Sequence, residues 1–457
     1  MKPARCCLIS VLLLIPALAP GQTTVSLGDA VERAQKNYPA VQVSLAQADA
    51  AIAQIDLART SYLPRLDSLV QFNRATRNNI YGMLLPQPVI APISGPPVTE
   101  NSATSVFGSA VGVLVNWEPF DFGLRKSRAD LAQSTRQHAD LTVARTQFEA
   151  GSAAADSFLT VLAAQETVKA AQAGVARSQV LLTTIEALVG AALRPGVDAE
   201  VARAELAAAQ TQVVRGEQAI ADAKAVLAGL IGEPPSQLAV TEGNLLTLPS
   251  EAPARPDGVT GNPLVREQNA AVDEAKARLR TLDKQWVPRF SLQGTTYARG
   301  TGAKPDFTTE GGLNGLAPTF YNWGVGLSVT FPLLDRAPIR AQQAQQSATV
   351  RAEESRYRLV VTDLETRRNR ALAAIEAARR VATLTPALVT AARAADAQAR
   401  ARYKSGLATV SEVADAQRVL AQAEIDDHLA RLSIWRSLLA LRTAEGNLTP
   451  LLDIAGK

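Results

Sequence analysis

Apolar and polar residues alternate in short runs at four places along the chain. After Pro64, Leu66, Ser68, Val70 and Phe72 alternate with Asp67, Leu69, Gln71 and Asn73. After Pro288, Phe290, Leu292 and Gly294 alternate with Ser291, Gln293 and Thr295. A period of two predicts strands with two different faces. Two further runs, around Phe107 to Trp117 and Tyr321 to Phe331, are rich in Gly, Val and aromatics and read as the returning partners. Each run is about 10 residues, the length a tilted strand needs to cross a bilayer. A soluble sheet edge competes for any single strand, but four at matching places favour a membrane barrel.

Between these runs the period lengthens. From Leu124 to Leu193 there is no proline, and the only glycines are Gly151, Gly174 and Gly190. Ile339 to Lys404 is similar except for Pro386, where a kink or interruption is expected. A helix of about 70 residues is roughly 105 Å long, far beyond the globular average of about 11 to 12 residues. Heptad rows follow: Leu206, Val213, Ile220 and Leu227, with Ala209, Gly216, Ala223 and Leu230 beside them. In the last long helix Val413, Leu420, Ile434 and Leu441 form such a row, which Asp427 interrupts, next to Ala416, Ala423, Ala430, Ser437 and Ala444. Ile425, Leu432 and Leu439 make another row on a different face. Strict sevens predict supercoiled packing, and two seams on one helix imply helical neighbours on two sides.

The chain is also written twice. Tyr38-Pro39 to Tyr62-Leu63-Pro64-Arg65-Leu66 recurs as Asn262-Pro263 to Trp286-Val287-Pro288-Arg289-Phe290, with equal spacing between the prolines. Val113 to Asp121 aligns without gaps on Leu327 to Asp335, and Glu200-Val201-Ala202 matches Glu412-Val413-Ala414. Each unit reads helix, strand, strand, long helix, turn, helix. The expected boundaries are 1–21 for a signal peptide and 22–64 for the N-terminal helices of the first repeat. Its strand hairpin follows at 65–120, then its long helical hairpin and linker at 121–260. The second repeat has its opening helix at 261–287, its strand hairpin at 288–334, and its long helical hairpin and C-terminal end at 335–457.

Composition narrows the class. Lys2 and Arg5, the apolar stretch Leu8 to Ala19 and the small residues that follow form a secretory signal too short to span a bilayer. Both cysteines, Cys6 and Cys7, fall inside it, so the exported chain has no thiol chemistry and no disulfide. Without Lys2 and Arg5 the 47 basic side chains become 45, against 43 acidic ones, a balance that does not call for nucleic acid. His138 and His428 stand alone in long helices and read as surface or packing residues. Gly311-Gly312-Leu313-Asn314-Gly315 lies in a hairpin loop rather than between a strand and a helix, so it is no phosphate loop. Neither an enzyme nor a cofactor or metal site is expected.

Aromatics gather at the helix-proximal strand ends: Tyr62, Trp117, Phe120, Phe122, Trp286 and Phe331. Amphipathic rings collect where hydrocarbon meets headgroups, so the set predicts a membrane rim in contact with outer-membrane lipid. The connections Met83 to Pro97, rich in proline, and Arg299 to Pro318, rich in glycine, join strands at the opposite end and are expected outside the cell. Arg194-Pro195-Gly196 and Lys404-Ser405-Gly406 stop the two long helices.

The ordered set resembles the TolC family of trimeric outer-membrane factors over essentially the whole exported chain. It rests on the duplicated Pro-to-Pro helix, the paired hairpins, and Arg402-Tyr403-Lys404-Ser405-Gly406 followed by Glu412-Val413-Ala414-Asp415-Ala416. The resemblance implies a mostly α chain with a membrane β-barrel. The long coiled-coil hairpins form a tandem-duplicated α-helical barrel, and four strands per chain build a 12-stranded barrel in a homotrimer. It implies an outer-membrane exit duct with a long periplasmic portion. That duct works with a periplasmic membrane-fusion adaptor and an inner-membrane pump in efflux or type I secretion. Glu412 and Asp415 match positions where the family usually places two pore-facing aspartates of a periplasmic constriction, with a solvated helix face as the alternative reading. Tyr403 matches a tyrosine of a gate latch, with Asp198 or Glu200 as its acceptor and Arg194, Gly196 and Gly406 at the tips. Ala408 departs from the pattern, since an arginine of the latch is sometimes found there. A periplasmic coiled-coil scaffold outside the membrane is the competing reading; it leaves the four matched strands unexplained.

Overall fold

The computed structural model describes residues 23–76, 102–249 and 258–456, apart from 305 and 307. The export signal and the connection Met83 to Pro97 lie outside the described residues. The described chain divides into two compact units. One holds the residues up to Gln42 with Thr146–Asn262 and those from Asp363 onward; the other holds Val43–Arg145 and Pro263–Thr362.

The first unit is helical around a small parallel pair, β1 (Thr23–Val25) beside β4 (Leu238–Val240). Its first helix, α1 (Leu27–Asn37), starts on a capping box: the Ser26 hydroxyl accepts from the Asp29 amide, and the Asp29 carboxylate accepts from the Ser26 amide. Helices α2 (Pro39–Thr60), α3 (Leu124–Gly190) and α6 (Arg336–Lys404) each belong partly to this unit. With them run α4 (Gly196–Ile231), α7 (Val410–Glu445) and α8 (Thr449–Ala455). At 67 and 69 residues, α3 and α6 have the length their unbroken patterns demand.

Heptad positions do part of the packing, since Leu206, Val213, Ile220 and Ile425 are only half-buried in the single chain. Leu227, Val413, Leu420, Ile434 and Leu441 are all buried, and so are Leu432 and Leu439 on the other seam of α7. Gly216 explains the small residues beside the large ones: a Cβ there would stand 2.6 Å from Cγ2 of Val168 on α3. Asp427, the interruption in the row, is satisfied by the Thr385 hydroxyl at 2.7 Å and by Arg431 at 2.7 Å.

Of the kink or interruption expected at Pro386, the interruption is corrected. α6 runs through Pro386 without a break. Proline there removes one helical hydrogen bond, but it lies on the exposed face between the buried Ala382 and Ala392, which packing holds in register.

The second unit holds an antiparallel four-stranded sheet, β2 (Arg65–Thr76), β3 (Ser105–Phe120), β5 (Arg289–Thr301) and β6 (Phe320–Thr330), in the order β2-β3-β5-β6. The two hairpins of the duplication meet along β3 and β5, leaving β2 and β6 as the outer strands. The connection between β5 and β6 falls where the glycines predict. Helix α5 (Pro263–Asp283) precedes the second hairpin as α2 precedes the first.

Candidate functional site

The register gives the sheet two unlike faces. Leu66 pairs with Val115, Val70 with Val111, Trp117 with Leu292 and Phe290 with Val329. Leu292 also pairs with Leu327 and Thr296 with Trp323, so one face carries an apolar stripe across all four strands. Tyr321 and Trp323 on that face are 86% and 80% exposed, and Val325 and Leu327 are similarly bare. On the opposite face Arg65 pairs with Asn116, Asn116 with Gln293, Gln71 with Ala110, Ser291 with Ser328 and Tyr297 with Asn322. Glycines 108, 112, 324 and 326 fall on this polar face, opposite larger side chains. A large exposed apolar surface on one side and a polar one on the other is the pattern of a strand wall between lipid and water.

Several of the aromatics expected at one rim touch one another or nearby arginines. The Trp117 indole donates to the Tyr62 carbonyl at 3.1 Å. Phe120 and Phe122 meet edge-on at 4.6 Å, and both lie about 6 Å from Phe290 (6.1 and 6.0 Å). Arg125 stacks over Tyr62 at 4.8 Å and Arg336 over Trp286 at 5.9 Å. Phe331 is exposed, as are Leu333 and Leu334 beyond it. The sequence reading missed Phe290 from this group. It also missed Tyr321 and Trp323, which put rings at the other end of the same apolar face. Their alternation with Asn322 carried the signal.

At the helix tips, residues 191–195 turn the chain from α3 to α4, with Ala192 at φ 56°. Gly196 opens α4 behind Pro195 rather than closing the turn. Gly406 does take the left-handed conformation, φ 78°; its amide donates to the Tyr403 carbonyl and that of Leu407 to Arg402. Tyr403 is 1% exposed, packed among Leu181, Ile185, Ala199, Val410 and Val413. Its hydroxyl donates to Asp198 Oδ2 at 3.0 Å. The Arg194 guanidinium lies 4.4 Å over the ring and also donates to the Tyr403 carbonyl. Burial, with the Asp198 hydrogen bond added, pushes the phenol up to about 12, against the opposing pull of Arg194. Glu200 is engaged elsewhere, by Arg203, which also holds Glu186 at 2.8 Å. Ala408 is buried in the same apolar cluster as Tyr403.

Glu412 and Asp415 are both exposed, one turn apart on α7, while Val413 and Ala414 face inward. Glu412 closes a capping box with Thr409: its carboxylate accepts from the Thr409 amide, and the Thr409 hydroxyl accepts from its own amide. Each carboxylate has a cationic neighbour, Arg402 at 3.9 Å from Glu412 and Arg418 at 2.7 Å from Asp415. Arg418 also reaches Glu205 at 3.4 Å. The spacing of three between Asp415 and Arg418 was visible in the sequence as a helical ion pair.

Neither histidine is alone. His138 Nδ1 lies 2.7 Å from Glu274 on α5, and His428 lies 3.1 Å from the buried Glu166. The Glu274 hydrogen bond raises the His138 pKa, and the same bond lowers that of Glu274.

The sequence model of the family described as "Outer membrane efflux protein" matches residues 30–233 and 259–447, both repeats of the chain. The chain belongs to this family. It is an outer membrane channel protein of efflux, not an enzyme, and it is mostly helical with a few strands. Among curated relatives it is similar to the cobalt-zinc-cadmium resistance protein CzcC of Cupriavidus metallidurans, 27% identical over 308 residues, which are 66% of this chain and 69% of CzcC. It is similar also to the pyoverdine export outer membrane protein OpmQ of Pseudomonas putida, 27% identical over 64% of this chain and 60% of OpmQ. Solved structures share the fold. The outer-membrane channel OprN superposes with a TM-score of 0.72 at 20% identity, covering 92% of this chain and 90% of that one. The outer membrane protein VceC of Vibrio cholerae gives 0.70 at 15% identity, covering 92% and 96%. No helix among the described residues is long and apolar enough to cross a membrane.

Proposed function

We propose that three copies of this chain form one exit duct, each giving four strands to a closed 12-stranded barrel. The observation that carries this is the sheet itself: one bare apolar face, one polar face, and an outer strand at each side. Four strands are too few to close a barrel around a lumen, and open edges are not stable in lipid, so further copies must complete the wall. The connection after β5 then faces the outside, and the long helices extend into the periplasm as a tunnel.

At the inner end, Glu412 and Asp415 line a constriction that favours cations, with Arg402 and Arg418 as partial counter-charges. Tyr403, Asp198 and Arg194 tie the two tips of one subunit together and hold the narrow end shut. The duct receives cargo from an inner-membrane pump through a periplasmic adaptor. The names of the two curated relatives, one of cobalt-zinc-cadmium resistance and one of pyoverdine export, differ in cargo, which fits a duct whose selection is made by the pump.

Detergent extraction of outer membranes tests the assembly. The expected product is a trimer that dissociates to the monomer on heating. A monodisperse monomer that keeps channel activity in a bilayer overturns the reading.

A further inference from the structure

A cleft of about 540 Å³ opens between α3, α4 and α7, with every wall drawn from the first unit. Its lining is mostly methyl and methylene surface, including Ala171, Ala208, Ala209, Ala414 and Ile425. Small residues of this kind let helices approach, and here they leave space instead. Half of the lining residues are polar, and Gln417 stands out among them. Gln417 is 7% exposed, and its side-chain Nε2 has no hydrogen-bond partner. A buried amide donor without a partner is uncommon in folded proteins, where such groups find a protein or ligand acceptor. The heptad pattern does not call for it either, since Gln417 occupies neither of the apolar rows of α7.

The charges around the cleft are already matched. Arg177 pairs with Glu424 at 3.0 Å, and Arg418 pairs with Glu205 and Asp415. An occupant therefore meets a largely apolar surface with paired charges, and two lining donors, Gln417 Nε2 and Arg177 Nε, that have no hydrogen-bond partner. The volume lies in the range of cavities that take drug-sized molecules, about 300 to 1,000 Å³.

We propose that this cleft binds an uncharged, drug-sized amphiphile that places a carbonyl-type acceptor on Gln417 Nε2 and its apolar body against the alanine walls. This goes beyond the conduction of cargo, and it requires no second copy of the chain. Bound there, the molecule would separate α7 from α3 and α4 along the segment that leads to the Tyr403–Asp198 contact, and so bear on the gate.

Benzophenone is a suitable probe, since it is neutral, carries the acceptor and inserts into nearby C–H bonds when irradiated. The purified full chain in detergent is labelled and the adducts are mapped by mass spectrometry. The expected adducts fall in residues 167–178, 205–212 and 414–425. Fluorenone should compete with the label, and fluorene, the same shape without the acceptor, should compete less well. Gln417→Leu removes the donor at similar bulk and should lower labelling about fivefold, the worth of one hydrogen bond. Ala209→Phe fills the cleft and should abolish it. Elution volume and melting temperature, unchanged in both variants, separate loss of binding from loss of fold. Adducts elsewhere, or equal labelling of the wild type and both folded variants, overturn the proposal without touching the duct reading, which rests on the sheet.

Discussion

At the scale of single residues, the pairing of His138 with Glu274 makes stability depend on pH in a definite direction. The folded pKa of His138 is raised from the ordinary 6.5, so its contribution is complete below that value and is lost as pH rises through the folded pKa. Glu274 is lowered from the ordinary 4.5, so its contribution is present above that value and is lost as pH falls through its folded pKa. Glu267 and Glu353 add to the pull on His138. The expected result is that His138→Gln lowers the melting temperature most between about pH 4.5 and 6.5, and progressively less toward pH 9. Thermal unfolding of the two proteins across that range checks it; a gap that does not depend on pH removes the ion pair from the account. The pair was illegible in the sequence. His138 and Glu274 sit on different helices of the two repeats, and no local spacing joins them. The Tyr403 acceptor was legible only as a choice of two, because Asp198 and Glu200 are two residues apart and only the tip geometry decides which of them meets the phenol.

At the scale of elements, the two faces of the sheet make an asymmetric prediction within one strand. Val325 lies on the bare apolar face and Ser328 on the polar one. An arginine facing lipid near the bilayer middle costs about 2 to 4 kcal/mol, whereas one facing water in the lumen costs little. Val325→Arg should therefore reduce the folded, heat-modifiable fraction in outer membranes, while Ser328→Arg leaves it near wild type. Equal effects would mean that the faces are not lipid and water. These strands were readable because alternation is local and the hairpins repeat. The long helices were readable for the same reason, since a heptad row needs no knowledge of its partner. No interruption occurs at Pro386 because propensity is also local: the cost of one proline, about 3 kcal/mol, is small beside the packing of a 69-residue helix.

At the scale of the whole molecule, the proposed constriction carries both signs of charge. Replacing Glu412 with Gln and Asp415 with Asn removes the carboxylates and keeps the side chain that caps α7, since Gln also serves at that position. Arg402 and Arg418 are then left without these carboxylate neighbours. Planar-bilayer recordings of the double variant should show the preference reversing from cations toward anions, with the trimer intact. Unchanged selectivity would place both carboxylates away from the conduction path. The duplication, the strands and the tips were legible at this scale because the chain states each of them twice. Of the counter-charges, Arg418 was legible from its spacing of three to Asp415, whereas Arg402 lies on the preceding helix, where no local spacing joins it to Glu412.

The outer strands β2 and β6 also bear on how the protein is made. A single newly exported chain would present two rows of unsatisfied amides and carbonyls, ready to zip onto any extended peptide it meets. Its safe lifetime alone is therefore short, and it shortens as the concentration of other unfolded chains rises. Such a chain needs an escort that shields both seams until it reaches the bilayer. On the proposed trimer, barrel closure and arrival of the third copy become one event, so partly assembled intermediates should be scarce in the membrane and abundant only where the escort is missing.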